Sequence, residues 1–280
     1  MSINTDAHVA AEDFDTGPVL VPARASLQEQ RPRTMKHGDT FAVYDQNGDI
    51  IAATGSPEGL FHADMRHLSH LALSINGVRP MLLRSSLRDD NAALICDLSN
   101  PDLHDARGAL ILRHDSIHVR RVRLLWDGAA YERISIKNFG QHRHRLRLSL
   151  AYSADFADIF EVRGATRPAR GRTEPARIED GAVILGYTGL DNLLRETRLR
   201  FAPAPNSLTA NRAEFLVDLA PRQSETVFFE VCCSGLPLIA SPSRAFLDAF
   251  AKARRSLRAA QRRGVTIEPS NQLFAEVMHR

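Results

Sequence analysis

The chain is poor in cysteine and lysine, and it has no long hydrophobic run. Its three cysteines, Cys96, Cys232 and Cys233, are an odd number without C-x-x-C spacing. The sequence therefore predicts neither a disulfide framework nor a zinc site, and it favours a reducing compartment. Because no apolar run reaches the ~18 residues of a membrane helix, we expect a soluble protein with no membrane partner.

The N-terminal residues also lack the basic and then apolar pattern of a secretory signal, and carry Asp6, Glu12, Asp13 and Asp15 instead. This favours a cytoplasmic protein. Only three of the 36 basic residues are lysines, yet the net charge is just +3 because 33 acidic residues nearly balance them. The acidic residues are interspersed among the arginines. Without a segregated basic face or interleaved aromatic residues, we expect no nucleic-acid partner.

The common nucleotide, phosphate, nucleophile-elbow and metalloprotease motifs are all missing, so no cofactor is expected. Three histidines, His62, His67 and His70, lie close together in the sequence. Their spacing matches no common zinc pattern, and a strand would point His67 and His70 to opposite faces. We therefore expect no metal site and interpret them as structural or surface histidines.

Most of the chain from Thr40 onward consists of short apolar or alternating runs separated by Asn-Gly and Asp-Gly pairs. Such pairs are typical of two-residue hairpin turns. Asp127-Gly128 divides two strand-like runs between Ile117 and Phe139, and Arg143 to Tyr152 alternates between apolar and polar residues. We predict a mainly β fold, a large antiparallel β-sandwich, with a loop from Arg163 to Glu179.

The predicted organisation has four parts: a flexible tail over 1–33, a β-sandwich over 34–240, a helix over 241–264 and the start of a further domain over 265–280. Apolar residues from Phe246 to Ala260 recur at spacings of three and four, which is typical of an amphipathic helix. Ser270 resembles the N-cap of a second helix with an apolar stripe.

The richest polar cluster is Asp155, Asp158, Glu161 and Arg163, directly after an alternating strand. Its carboxylates could act as a glycosidase acid and base, bind polyols or another domain, or simply shape a turn. A second cluster, 88–91, contains Arg88, Asp89, Asp90 and Asn91. These residue types bind sugar hydroxyls, although a charged turn explains the second cluster equally well.

Four segments occur in an order that resembles the N-terminal domain of bacterial glycogen-debranching-type enzymes, the amylo-α-1,6-glucosidase-like family. They are Gly59-Leu-Phe-His-Ala-Asp-Met-Arg-His-Leu-Ser, the Leu83–Pro101 stretch with Arg88-Asp-Asp-Asn, Leu125-Trp-Asp-Gly through Tyr131-Glu-Arg, and Asp155-Phe-Ala-Asp-Ile-Phe-Glu-Val-Arg-Gly. The resemblance extends from Met35 to Arg280. Met65 departs from it, since the family usually has threonine between the residues matched by Asp64 and Arg66.

The resemblance implies an N-terminal β-supersandwich, a linker helix and an (α/α)6 barrel that carries the catalytic carboxylates. We expect only the start of that barrel here, and the catalytic positions have no counterparts in the chain. The resemblance thus favours a non-catalytic module that braces a barrel, in cis or separately encoded, and shapes its entrance for an α-glucan. Residues expected at the entrance are Asp64, Arg66, Arg88, Asp89, Asp90, Asn91, Asp155, Asp158, Glu161 and Arg163.

Two other interpretations stay open. One is a stand-alone carbohydrate-binding module for α-glucan oligosaccharides. The other is a small complete hydrolase that uses Asp155, Asp158 or Glu161. The first predicts sugar binding without turnover, and the second predicts turnover by this chain alone.

Overall fold

The computed structural model describes residues 32–53, 56–87, 93–105, 107–233, 235 and 240–263. Within these ranges the chain forms strands β1 (Arg33–His37), β2 (Thr40–Tyr44), β3 (Ile50–Ile51), β4 (Gly59–His62), β5 (Met65–Leu68), β6 (His70–Ile75), β7 (Met81–Leu87), β8 (Leu94–Ser99), β9 (Leu103–His104), β10 (Leu110–Leu112), β11 (Ile117–Trp126), β12 (Ala129–Asn138), β13 (His144–Ser153), β14 (Arg172–Glu179), β15 (Ala182–Thr188), β16 (Leu194–Ala202), β17 (Ser207–Thr209), β18 (Arg212–Leu219) and β19 (Ser224–Cys232). The helices are α1 (Ile159–Val162) and α2 (Pro242–Arg263).

Two large antiparallel sheets form the body of the protein. The eight-stranded sheet has the order β14-β15-β16-β19-β12-β11-β8-β7, and the five-stranded sheet has the order β17-β18-β13-β6-β3. Their inner faces share one hydrophobic core. Phe201 on β16 contacts both Tyr152 and Phe215 of the five-stranded sheet, each at 6.0 Å between ring centroids. The predicted mainly β, antiparallel fold is confirmed.

Residue alternation along β13 explains why this strand separates core from solvent. Leu146, Leu148, Leu150 and Tyr152 are buried, while Arg145 lies on the exposed face. Successive side chains of a strand point to opposite faces of the sheet, so the sequence pattern sets this orientation. A shift of one residue would expose the whole apolar set.

The hairpin between β11 and β12 has the predicted two-residue turn. Trp126 pairs with Ala129, and Asp127 and Gly128 between them have φ values of 49° and 74°. Positive φ at both central positions is the geometry of a type I′ turn, which matches the twist of antiparallel strands. The prediction of a hairpin from Ile117 to Phe139 is therefore confirmed.

The expected loop from Arg163 to Glu179 is partly wrong, because β14 occupies Arg172–Glu179 at the edge of the eight-stranded sheet. Its residues are mostly exposed and polar, so no apolar pattern marks it. An edge strand needs backbone pairing along one side only, and the register irregularity between Glu174 and Arg177 accommodates Pro175. Strand β1 begins at Arg33, the last residue assigned to the tail.

Helix α2 covers the outer face of the eight-stranded sheet. Phe246 and Ala249 are buried beside Leu124, and Phe246 contacts Phe228 at 5.6 Å between ring centroids. A helix at the predicted place is therefore present, and its role as a linker stays a prediction. The expected second helix at Ser270 lies outside the described residues. Neither helix in the described ranges is long and apolar enough to cross a membrane.

A smaller four-stranded sheet, in the order β1-β2-β4-β5, lies against the sandwich. Ala63 and Asp64 join β4 to β5 with φ values of 46° and 62°, so this turn brings the backbone back sharply. Strand β5 then continues into β6 of the five-stranded sheet. The small sheet therefore holds the segment from His62 to Leu68 at the margin of the sandwich.

Candidate functional site

Asp155 and Arg66 form the centre of the predicted polar site. Arg66 donates two hydrogen bonds to the carboxylate, from Nε to Oδ1 at 3.1 Å and from Nη2 to Oδ2 at 2.5 Å. Arg66 also donates from Nη1 to the Glu58 carbonyl at 3.2 Å, and the arginine is only 8% exposed. This paired contact between two planar groups holds the β13 end against β5.

Asp158 and Glu161 form a capping box at the start of α1. The Asp158 carboxylate accepts hydrogen bonds from the backbone N–H groups of Phe160 and Glu161, at 2.7 and 2.8 Å. In return, Glu161 Oε2 accepts from the Asp158 backbone N–H at 3.0 Å. Both carboxylates therefore satisfy helix-end donors that would otherwise lack partners.

Two arginines after α1 neutralise the same carboxylates. Arg167 contacts the carboxylates of Asp158 and Glu161, and Arg170 Nε lies 3.1 Å from Glu161 Oε1. Arg170 also donates from Nη2 to the Asp155 carbonyl at 2.7 Å. These contacts fold the chain after α1 back over the polar cluster.

The backbone of the same region is tied to the small sheet. Arg66 donates its N–H to the Ala157 carbonyl at 2.8 Å, and Ile159 donates to the Asp64 carbonyl at 3.0 Å. The structure thus brings together Arg66, Asp155, Asp158 and Glu161, although Arg66 is about 90 residues away in the sequence.

The remaining predicted site residues are placed differently. Asp64 and Arg163 are near the cluster in the chain, and both are exposed, with no side-chain bond to another described residue. The second cluster, Arg88, Asp89, Asp90 and Asn91, lies outside the described residues. Its expected role stays a prediction.

The geometry limits what the three carboxylates can do. A glycosidase acid and base must face the scissile bond from two sides and exchange protons with substrate or water. Here Asp155, Asp158 and Glu161 are each bonded to the chain's own arginines or amide groups. This arrangement can position the surface segment, since each carboxylate supports another part of the chain.

A pocket of about 310 Å³ lies next to this cluster, between the small sheet and one end of the eight-stranded sheet. Its lining residues are His62, Ala63, Met65, His67, Leu194, Arg195, Glu196, Cys233 and Gly235. Two of the three histidines that lie close together in the sequence, His62 and His67, therefore line the same cavity. In the described ranges no group of three or more histidine, cysteine or carboxylate residues is arranged to hold a metal ion.

His67 is the most buried polar group of the pocket, with 4% of its surface exposed. Its Nδ1 lies 2.9 Å from Thr197 Oγ1, and that hydroxyl donates to the His67 carbonyl at 3.1 Å. Its ring also packs edge-on against Phe156, the residue after Asp155, at 5.6 Å. Burial, with His62 and Arg195 nearby, lowers the His67 pKa to about 3, so the ring is neutral at physiological pH.

The sandwich also contains a buried ionic network that the sequence patterns did not predict. Glu132 accepts hydrogen bonds from Arg121 Nε at 2.6 Å and from Arg123 Nε at 2.8 Å. Arg121 Nη1 also bonds to Asp49 Oδ1 at 2.5 Å, and Arg79 Nε bonds to Asp49 Oδ2 at 2.9 Å. The sequence feature that indicates this network is the presence of Arg121 and Arg123 at inward positions of the alternating strand β11.

The network controls the charge state of its members. Burial alone would raise the pKa of Glu132, but Arg121 and Arg123 outweigh it and hold that pKa below the ordinary value. The guanidinium of Arg123 lies over the Tyr44 ring at 4.5 Å. Among the described residues, Arg121 Nη2 and Arg123 Nη1 are buried and have no hydrogen-bond partner, so most but not all of the donors in the network are satisfied there.

Comparison with solved structures gives distant similarities. A protein described as a kojibiose phosphorylase, from the human microbiome, is 12% identical with a TM-score of 0.44 over 82% of this chain and 32% of its own. This chain therefore spans about a third of that protein. A galactose mutarotase-like protein from Lactobacillus casei ATCC 334 is 8% identical, with a TM-score of 0.40 over 72% of this chain and 99% of its own.

A protein described as an aldose 1-epimerase, from Escherichia coli K12, is 9% identical, with a TM-score of 0.40 over 73% of this chain and 99% of its own. No curated protein matches the sequence. A sequence family described as the N-terminal domain of (some) glycogen debranching enzymes matches residues 35–230, which is more than half of the chain. The chain therefore belongs to this family of glycogen debranching enzyme N-terminal domains.

Proposed function

We propose that this chain is a non-catalytic β-sandwich module of a glycogen-debranching-type α-glucosidase. In this proposal it braces an (α/α)6 catalytic barrel, in cis or separately encoded, and shapes the entrance through which an α-glucan reaches that barrel. The barrel supplies the acid and base of the glycoside hydrolase reaction. We expect the whole assembly to be cytoplasmic, because the three cysteines without disulfide spacing favour a reducing compartment.

The observation that carries this proposal is that each of the three clustered carboxylates is bonded to another group of the same chain. Asp155 is held by Arg66, Asp158 caps α1, and Glu161 completes the capping box. A carboxylate that supports a helix end or a nearly buried arginine has a structural role that proton transfer would interrupt. This favours a bracing surface over an active site.

The proposed entrance surface has a fixed part and an exposed part. Arg66, Asp155, Asp158 and Glu161 form the fixed part, because each is tied to another segment of the chain. Asp64 and Arg163 project at its margin and are available to glucan hydroxyls or to barrel loops. Arg88, Asp89, Asp90 and Asn91 belong to the proposal on the resemblance alone.

The alternative function is a stand-alone carbohydrate-binding module for α-glucan oligosaccharides. It would be favoured if Asp155 and Asp158 bound sugar directly. Carboxylates that are already bonded would have to exchange these partners for sugar hydroxyls, at a cost in binding free energy.

Alanine variants of the carboxylates distinguish the two functions. We expect Asp155→Ala and Asp158→Ala each to lower the free energy of unfolding by about 1–2 kcal/mol, from loss of the Arg66 pair and of the helix cap. We expect neither variant to change the affinity for maltoheptaose. The measurements are chemical unfolding and isothermal titration calorimetry on the complete chain.

Asp39→Ala is the control, because Asp39 lies beside the β4–β5 turn, is exposed without a side-chain partner in the described ranges and has no positive φ. Its stability should be within about 0.5 kcal/mol of the wild type. Unchanged stability together with weaker maltoheptaose binding in Asp155→Ala and Asp158→Ala would support the stand-alone module instead.

A further inference from the structure

The cavity between His62, Met65, His67 and Leu194 has features of a ligand site that the bracing role does not use. Its volume of about 310 Å³ is within the range of small-molecule pockets. It is formed by two separate parts of the fold, since His62 and Met65 belong to the small sheet while Leu194 begins β16. Most of its walls are therefore supplied by strands of hydrogen-bonded sheets, while Ala63 lies in the β4–β5 turn and Cys233 and Gly235 follow β19.

The charged groups of the cavity are already compensated. Arg195 donates from Nη1 and Nη2 to the carboxylate of Asp191, at 2.9 and 2.7 Å. Glu196 Oε1 accepts from Arg177 Nη2 at 2.7 Å. A charged ligand would have to be desolvated without gaining an unpaired opposite charge, so the pocket disfavours ions.

The two histidines of the cavity are hydrogen-bonding side chains held in fixed orientations, which suits them to recognise hydroxyl groups. His67 is neutral because burial and the nearby His62 and Arg195 lower its pKa to about 3. Its Nδ1 is engaged with Thr197, whose hydroxyl donates to the His67 carbonyl, which fixes the ring orientation. His62 is similarly oriented by a 2.9 Å hydrogen bond between its Nδ1 and Thr40 Oγ1.

Apolar side chains line the rest of the cavity. Met65 and Leu194 provide polarizable and aliphatic surface beside the two histidine rings. A sugar ring has an edge of hydroxyl groups and less polar C–H faces, so it needs this combination of oriented polar groups and apolar walls. An ion would contact only the polar groups of the cavity, and a purely apolar ligand would contact only its apolar walls.

We propose that this pocket binds a neutral pyranose unit, such as a terminal glucosyl residue of an α-glucan. The choice of glucose rests on the proposed function, whereas the pocket and its preference for a neutral hydroxylated ring do not. Met65 connects the pocket with the carboxylate cluster. Its side chain lines the pocket, and its backbone pairs with Asp158. A sugar in the pocket would thus contact the same β5 segment that anchors the carboxylate cluster.

Methyl NMR of the complete chain tests this directly. With ¹³C-methyl methionine labelling, the Met65 resonance, assigned with Met65→Leu, should shift in a saturable way on titration with glucose or maltose. We expect a dissociation constant on the order of 1 mM. The buried Met35 should be unaffected, since it lies elsewhere in the core.

Leu194→Arg should weaken binding at least tenfold by placing a long cation in the pocket mouth. Leu216→Arg is the matched control, because Leu216 is a comparably exposed leucine on β18, at 58% against 54% for Leu194. The proposal is wrong if Met65 does not shift with either sugar, if binding survives Leu194→Arg, or if glucose 6-phosphate binds more tightly than glucose. None of these results bears on whether Asp155 and Asp158 have structural roles, so the proposed function is tested separately.

Discussion

Glu132→Gln is expected to lower the free energy of unfolding by about 3–5 kcal/mol, a large part of the stability of a typical domain. The substitution keeps the side-chain shape but removes the negative charge between Arg121 and Arg123, which are 1% and 3% exposed. Arg121 would keep its bond to Asp49, whereas Arg123 would lose the carboxylate that its guanidinium contacts among the described residues. Urea unfolding followed by circular dichroism measures the change.

Arg120→Gln provides the control on the same strand. Arg120 is next to Arg121 but points to the opposite face, where it pairs with Asp97 and its side chain is 51% exposed. An exposed ion pair contributes little, so we expect a loss below about 1 kcal/mol. Equal losses from the two substitutions would show that burial of the Glu132 network contributes nothing beyond an ordinary surface pair.

The second large effect is a dependence of stability on pH through His67. The folded protein keeps this ring neutral down to about pH 3, whereas histidine in the unfolded chain takes up a proton near pH 6.5. Between these values the unfolded state binds more protons, so stability decreases as pH falls below about 6.5. The slope approaches about 1.4 kcal/mol per pH unit.

The difference in slope between the wild type and His67→Gln isolates this contribution. Chemical unfolding at several values from pH 7 to pH 5 should show a shallower decline in His67→Gln, even if that variant is less stable throughout. His104→Gln, which removes an exposed histidine, should keep the wild-type slope. Parallel curves for the wild type and His67→Gln would contradict the burial of a neutral His67.

Much of the fold was predictable because local pattern and tertiary environment agree. The alternation in β13 sets its buried face, and Asp127-Gly128 sets the hairpin turn, since both signals act within a few residues. Strand β14 was missed because its polar residues carry no burial pattern. Helix α1, at Ile159–Val162, is too short for a helical period to appear.

The sequence predicted which residues form the candidate site, but it did not predict which of them contact each other. The sequence identified Asp155 and Arg66, yet nothing local indicates that these two residues pair, because their contact depends on how β13 meets the small sheet. The pocket at His67 has the same origin, since its lining comes from β4, β5, β16 and the end of β19. Long-range contacts of this kind are fixed by the assembled sheets.

The Glu132 network could not be predicted because its arginines occupy positions where the sequence pattern misleads. Arg121 and Arg123 occupy inward positions on β11, where an alternating pattern ordinarily predicts apolar residues. Composition alone interprets such arginines as surface groups, because charged residues are rarely buried without partners. Their partners, Glu132 and Asp49, lie on a neighbouring strand and in a loop, and only the fold brings them together.

The most direct test of the central claim is reducing-sugar release from glycogen and its limit dextrin by the purified chain. Asp155→Asn and Glu161→Gln are assayed beside the wild type. We predict no release above the blank from any of the three, because these carboxylates are bonded within the chain. Release by the wild type that either substitution abolishes would place the chemistry in this domain and contradict the account of a non-catalytic module.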